Sequence, residues 1–503
     1  MFHFRHLAAV PALVLLMGGA AHAALTVDQV WTSWKDGATQ IGLTLSAATE
    51  SNAGGVLTLN GVTMARAGQQ GGLTISDLVL TEQGDGTVLI KPGDSIAFNV
   101  GDAAEGAKAG IAHQGLTLVA SEGAQGGISY DFAADTLAVD FSAVQPGYSF
   151  VEGQAAKPVT SSGKIALEAL KGVYADTPGE NRTFGLSLTG GKTVMDMTSD
   201  NPDMQMKTSS NTMSESLAVD FGLTLPSGIT LGAIQSAADF GTALQQGLAV
   251  TLHVEQGAST GAASQEDQFF PYTMTMTSQP GLGDLVLNKD VFRVTSGGGG
   301  AAVDLTTQAL PAPVKLSFGP MQVDMLSPVM SGETAGDYGL TLKLAEFTLN
   351  DDAWNLFDPQ AILVRDPFDL SIDVSGKAKV DWIALMVADE TGQQPPTPAP
   401  ETLNITDISL KLAGAAANAV GAFTFDNSMG FPMPLGTADV TVTGANQLID
   451  GLIKTGLLQE EDATGARMMM AAFMKPGADP NTLTSHIEAK ENMQIFVNGQ
   501  QIQ

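Results

Sequence analysis

The chain contains no cysteine. That excludes a disulfide framework and a lipid attached through an amino-terminal Cys. Basic residues are scarce: 23 Lys and Arg stand against 53 Asp and Glu, a formal net charge of −30. Phosphate contacts need a basic footprint, so no nucleic-acid partner is expected, and an anionic membrane surface would repel the body of the protein. The acid bias reads as a solubility device that leaves room for weak affinity for divalent cations. Aromatic residues make up only 6% of the chain, too few for the girdles of an outer-membrane barrel. Beyond the amino terminus no apolar run approaches the roughly 20 residues that a spanning helix needs. With 44% hydrophobic and 15% charged residues the composition is globular rather than disordered.

What is present begins with an export signal over residues 1–23: Arg5 near the start, an apolar run over 7–17, and Ala21-His22-Ala23 with small residues where a signal peptidase reads. Its removal leaves 22 basic and 53 acidic residues, a net charge of −31, and places the product in the periplasm with no integral membrane span.

The body repeats one phrase. Leu57-Thr58-Leu59-Asn60-Gly61-Val62-Thr63-Met64, Leu73-Thr74-Ile75-Ser76-Asp77-Leu78-Val79-Leu80 and Leu403-Asn404-Ile405-Thr406-Asp407-Ile408-Ser409-Leu410 all read apolar-x-apolar-x-(Gly or Asp)-apolar-x-apolar. Side chains alternate faces with period two, so the change of phase at the Gly or Asp would send the second half to the other face unless an extra residue is absorbed there. A β-bulge absorbs it. Many such strands imply a continuous sheet with one apolar face.

Other signals surround these strands. Thr26 and Gln29 form a capping box before Val30, Trp31 and Trp34, predicting a helix over 26–35 that plugs one end of the sheet. Gln83-Gly84-Asp85-Gly86 predicts a hairpin. A helix is expected over 233–248, a flexible hairpin tip at Gly297 to Gly300, and a proline-rich surface loop over 393–400 between strands. Two helical runs over 446–458 and 461–474 form a cap near the carboxyl terminus, with Met468, Met469, Met470 and Phe473 on its inner face, and a strand pair follows around Ile487 and Ile495. The fold class is therefore mainly β: an elongated, twisted, largely antiparallel sheet, either a groove or an open sandwich, forming a single domain over 24–503.

Few constellations point to chemistry. Gly257-Ala258-Ser259-Thr260-Gly261 matches a nucleophile elbow, but that motif requires a helix after the serine, and strand sequence follows here. The pairs Met195/Met197, Met204/Met206 and Met274/Met276 could offer thioethers to Cu(I). With no histidine near them, they fit better as pliable lining of an apolar face. Asp196, Asp200 and Asp203 lack the ordered spacing of a calcium loop. Asp351 or Asp352 suits a cap for a helical turn at 354–357. No catalytic residue, cofactor or metal site is assigned.

Toward the carboxyl terminus, Trp354-Asn355-Leu356-Phe357-Asp358-Pro359, Arg365-Asp366-Pro367, Phe423-Thr424-Phe425-Asp426-Asn427 and above all Glu460-Glu461-Asp462-Ala463-Thr464-Gly465-Ala466-Arg467-Met468-Met469 resemble the uncharacterised bacterial envelope family 2125 among the domains of unknown function. The likeness is close over 349–503 and looser upstream. It implies an envelope protein and carries over no catalytic residues. The strand pattern is also similar, more distantly, to the AsmA-like envelope proteins, whose extended sheets curl into lipid-holding grooves. Those usually keep an amino-terminal anchor, whereas this chain has a cleavable signal, which points to a shuttle or scaffold. The leading expectation is a non-enzymatic periplasmic protein that holds acyl chains or lipids along its sheet and serves envelope homeostasis. The alternatives are a scaffold acting through an envelope protein partner, and a hydrolase using Ser259.

Overall fold

Period-two alternation builds this molecule, and the phase changes in the sequence decide its cross-section. A computed structural model describes residues 24–66, 71–101, 105–147 and 156–503; the expected export signal over 1–23 lies outside them. Among the described residues, 31 strands join in one sheet whose pairings are all antiparallel. The chain runs back and forth in sequence order, so the sheet is a meander of long rungs. Val56–Ala65, Gly71–Glu82, Ile128–Gln145, Val159–Thr177 and Gly336–Leu349 are single-strand rungs. Others are one traverse split at its middle, such as Asn181–Gly190 with Thr193–Asn201, or Ala249–Gln256 with Ser259–Glu266.

The mid-rung irregularities line up from rung to rung. In the first repeat Asn60 pairs with Asp77 and Val62 with Ile75, so Gly61 and Ser76 are both left out of the ladder. Leu57, Leu59 and Val62 are consequently all buried on one side. A bulge between Ile405 and Ile408 does the same in the third repeat. Positive φ recurs along this line, at Gly61 (61°), Gly115 (65°), Ala169 (51°), Gly300 (129°) and Glu346 (54°). Backbone bonds carry the ladder across it: Glu215 N–H donates to Ala258 O at 3.0 Å, Gly257 N–H to Ser216 O at 2.9 Å and Gln279 N–H to Gly300 O at 2.9 Å. The sheet thus has two halves that meet along a central seam bridged by backbone hydrogen bonds.

Helices cover one half. Helix α1 (Val27–Gln40) opens with the expected capping box of Thr26 and Gln29. It buries Val27, Val30 and Trp31 against Leu57, Leu59, Leu78, Leu80, Val88 and Ile90, while Trp31 Nε1 donates to Glu50 at 2.9 Å. Helix α2 (Ala237–Gln245) packs on α4 (Trp382–Thr391). The contact centres on Gly241, where a Cβ would stand 2.4 Å from Ile383 Cγ2, and Ala237 N–H donates to the Glu390 carboxylate at 3.0 Å. Leu225, Leu244, Leu248, Val329 and Ile383 form the buried cluster beneath. From Gly336–Leu349 onward each rung is a single strand, shorter than Ile128–Gln145 or Val159–Thr177, and Trp354 of α3 (Asp351–Trp354), Leu363 and Leu448 of α5 (Ala445–Lys454) pack together beside them. Helix α6 (Glu460–Phe473) follows α5.

Several expectations are corrected. Gly297 to Gly300 is no hairpin tip: Gly297 and Gly298 end the strand Val291–Gly298, and Gly299 and Gly300 sit on the seam. A Cβ on Gly300 would lie 2.5 Å from Phe318 O, so glycine serves a close backbone approach there. The expected helix over 233–248 is limited to α2, capped by Ser236, because Leu231–Ala233 forms a separate 3-10 turn. The proline-rich loop is preceded by α4 rather than by a strand; Asp381 starts that helix and Gly392, with φ 67°, stops it. Asn350, not Asp351 or Asp352, caps α3. The terminal strands Thr482–Lys490 and Gln494–Val497 are joined by a 3-10 turn, and Asn498-Gly499 follows them. Met468, Met469 and Phe473 face outward from α6, where only Ala463 is buried.

Candidate functional site: an open apolar face

Register places the methionine pairs. Directly opposed residues in paired strands share a face. One row across the uncapped half reads Val139, Ile165, Met195, Thr212, Gly261, Met276, Val303 and Leu316. The next reads Phe141, Gly163, Met197, Ser210, Ala263, Met274, Leu305 and Val314. The row between them, on the other face, reads Asp140, Lys164, Asp196, Asn211, Ala262, Thr275, Asp304 and Lys315. That outer face is laced with polar pairs: Asn211 donates to Asp196 at 2.5 Å, Lys315 lies 3.2 Å from Asp304, and Arg293 donates to Asp324 at 2.6 Å.

Met195, Met197, Met274, Met276 and, at the strand start, Met206 therefore share one apolar face, while Met204 lies in the turn at the sheet's rim. Two strands carrying small residues separate Met195 from Met276, so the thioethers do not converge on a point. Met276 instead leans over Gly261, where a Cβ would meet its Cγ at 2.9 Å. The aliphatic and aromatic members of these rows, Ile165, Phe141, Val303 and Leu305, could not be grouped from sequence, because only register shows which distant strands are neighbours.

This face is not covered. None of the packed clusters among the described residues includes a side chain from Thr193–Asn201, Met206–Ser214, Ser259–Glu266, Tyr272–Ser278 or Ala301–Thr307. Ile165, Met197 and Met276 remain 37%, 38% and 39% exposed. Large apolar side chains this exposed in contiguous rows are unlike scattered surface residues. The rows lead into cavities at two ends. One of about 800 Å³ is lined by both halves of the sheet, including Met64, Leu73, Ile75, Phe132, Phe221 and Leu223, with Trp34 of α1 and Leu231 closing over it. The other, of about 510 Å³, lies among Leu344, Phe347, Trp354, Phe357, Phe368, Leu412 and Leu448, with Arg365 and Asp366 also lining it. Both volumes fall within the roughly 300–1,000 Å³ typical of small-molecule sites.

Several polar groups near this face have structural partners, whereas the buried His113 Nε2 and Thr193 Oγ1 have none. Ser259 starts a strand and shares a 2.7 Å hydrogen bond with Ser278, so the elbow's strand-turn-helix context is absent. His253 pairs with Asp284 at 2.5 Å on the outer face, and His486 with Asp439 at 2.6 Å; these hydrogen bonds raise both imidazoles above their ordinary range. His113 shares the row of Ser259 but stands five strands away. Asp200 pairs with Lys207 at 3.6 Å and Asp203 accepts the Lys157 N–H at 2.7 Å, so the three expected acids are dispersed. Among the described residues no three His, Asp or Glu side chains gather as a metal-binding group. Below α1, buried Asp176 receives Arg182 at 2.5 Å next to Tyr130 and Tyr174, whose rings lie 5.6 Å apart. Burial raises the Tyr174 phenol to about 12, helped by the Asp176 charge, and pushes Tyr130 up as well.

The cavity among Trp354, Phe357 and Leu448 lies in the stretch where this chain matches a described family. Residues 283–490 match the family model of an uncharacterized protein conserved in bacteria, DUF2125. The DUF2125 match starts upstream of the close likeness expected from residue 349 and ends before Asn498-Gly499-Gln500. It takes in α3 to α6, the 510 Å³ cavity and the Val303, Leu305, Val314 and Leu316 ends of the two rows, and it leaves their methionines and the 800 Å³ cavity outside. No curated protein and no solved structure matches the chain. The comparisons therefore give the AsmA-like similarity no support. No helix among the described residues is long and apolar enough to cross a membrane.

Proposed function

We propose that this protein binds hydrophobic ligands, acyl chains or lipids, along the uncovered face of its sheet and carries or holds them in the periplasm as part of envelope homeostasis. The observation that carries the reading is the pair of apolar rows through Ile165, Met195, Met197, Met274 and Met276, left half-exposed between two apolar cavities. Burying apolar area is worth about 25 cal/mol per Å², so a chain laid along these rows gains several kcal/mol without polar contacts. Methionine suits ligands of varied shape because its thioether is flexible and polarizable. The periplasmic location rests on the signal-like residues 1–23, and the reading is non-enzymatic because apolar binding requires no catalytic group.

Mass spectrometry of the protein purified without detergent, native and after solvent extraction, tests this. A defined stoichiometry of co-purifying acyl species is expected, and Met276→Glu should lose it while unfolding at the wild-type temperature, since the side chain is half in water already. A clean unliganded mass, with added lipids failing to bind, would sink the reading. It would favour a scaffold working through protein contacts, for which α6 offers Met468 and Met469, 66% and 65% exposed.

A further inference from the structure

The turn at residues 267–271 ends the rim of the uncapped half, between Ser259–Glu266 and Tyr272–Ser278. It carries the two most exposed large apolar side chains among the described residues, Phe269 at 77% and Phe270 at 68%. Hydrogen bonds hold the turn. Asp267 Oδ1 accepts the backbone N–H groups of Phe269, at 2.6 Å, and of Phe270. Gln265 donates to the other Asp267 oxygen, Pro271 fixes its own φ, and Gln268 reaches Gln205 of the neighbouring rim turn, which bears the exposed Met204. A hydrogen-bonded turn that holds two phenyl rings in water is a costly arrangement for a free surface.

Beyond the turn the strand carries Tyr272, Met274 and Met276 onto the apolar face, with Gln265 and Thr307 beside Tyr272 at the rim. The rings are thus the outer end of the strip that leads inward. Two rings at a hairpin tip are far smaller than the roughly 800 Å² per partner of a stable protein interface. They do match the depth at which aromatic side chains settle in the headgroup region of a bilayer. Glu266 and Asp267 flank them in sequence, Asp200 and Asp203 lie on the neighbouring rim with Lys207 and Lys157 beside them, and this acid-rich balance disfavours an anionic surface and suits a zwitterionic one.

We propose that residues 267–271 form a membrane-contacting lip, where Phe269 and Phe270 enter the interfacial layer of a zwitterionic bilayer and the strip Tyr272, Met274 and Met276 leads an acyl chain from it into the groove. This rests on the groove reading above. The test compares the full-length exported protein with its Phe269→Ser/Phe270→Ser variant in three measurements: flotation with phosphatidylcholine vesicles, the rate of taking a fluorescent phosphatidylcholine from them, and binding of a fluorescent fatty acid dissolved below its aggregation concentration. The variant should lose vesicle flotation and loading by about tenfold or more, with fatty-acid affinity and unfolding temperature unchanged. A variant that loads from vesicles at the wild-type rate overturns the lip. So does wild-type protein that binds the dissolved fatty acid but never floats, and the rings would then be assigned to a protein partner. Wild-type protein that binds no fatty acid from solution overturns the groove reading and, with it, the lip's part in loading.

Discussion

Tyr130 and Tyr174 show how one buried ion pair shapes its surroundings. Asp176 is 3% exposed and anchors Arg182, and the two phenols stack beside them under Trp34. Burial and the nearby carboxylate both disfavour phenolate, so the folded state holds Tyr174 neutral up to about 12 while the unfolded chain releases its proton near the ordinary 10. Between those values the native state binds more protons than the unfolded one, and stability falls as pH rises. The expected result is a urea midpoint that declines between pH 10 and pH 12. Phenylalanine at both positions should flatten the decline. Tyr130 was unremarkable in the sequence, a strand residue like any other; only the packing of α1 over its rung makes its ionisation costly.

Among the elements, the seam matters more than any helix. Each rung would place its two halves on opposite faces if the extra residues were removed, so the bulges turn two short alternating strands into one wide apolar wall. Gly300 is tightly constrained by backbone on this seam, with φ at 129° and Phe318 O 2.5 Å from where a Cβ would lie. Gly300→Ala should destabilise by roughly 1–3 kcal/mol, visible as a lower urea midpoint with little change in slope. The phase change in the repeats made these bulges legible in the sequence. The glycine run 297–300 was misread because glycine marks hairpin tips and mid-strand kinks alike, and only pairing on both sides distinguishes them. Helix α4 was missed for a related reason: Trp382–Thr391 is apolar nearly all round, as suits a helix set against α2 and the sheet rim, so it lacks the one-sided pattern that announces a helix.

As a whole molecule, the meander means that each rung depends chiefly on its two neighbours, as in repeat proteins. Stability should therefore vary along and across the sheet. Amides of the capped half near Leu57–Leu59 and Leu78–Leu80, beneath α1, should exchange with solvent more slowly than those of Thr193–Asn201, Ser259–Glu266 and Tyr272–Ser278 in the uncapped half. Hydrogen exchange followed by mass spectrometry checks this. A bound acyl species should slow the uncapped half selectively, and uniform exchange across both halves would contradict the division.

The sequence by itself determined the local structure: the alternation that makes strands, the bulges at Gly61 and at Thr406-Asp407, the capping box of α1, the acidic solvent face and the absence of cysteine chemistry. These are properties of neighbours in the chain, and period, turn chemistry and charge report them directly. Only the tertiary structure decided which strands lie side by side, and so which apolar residues form a surface. Met195 and Met276 are 81 positions apart in the sequence and three strands apart in the sheet. Whether a row of apolar side chains is core or open face depends on what packs against it, and that is set by where α1, α2, α4 and α5 come to rest. Alternation marks a face as apolar; coverage, a property of the whole fold, leaves this one free.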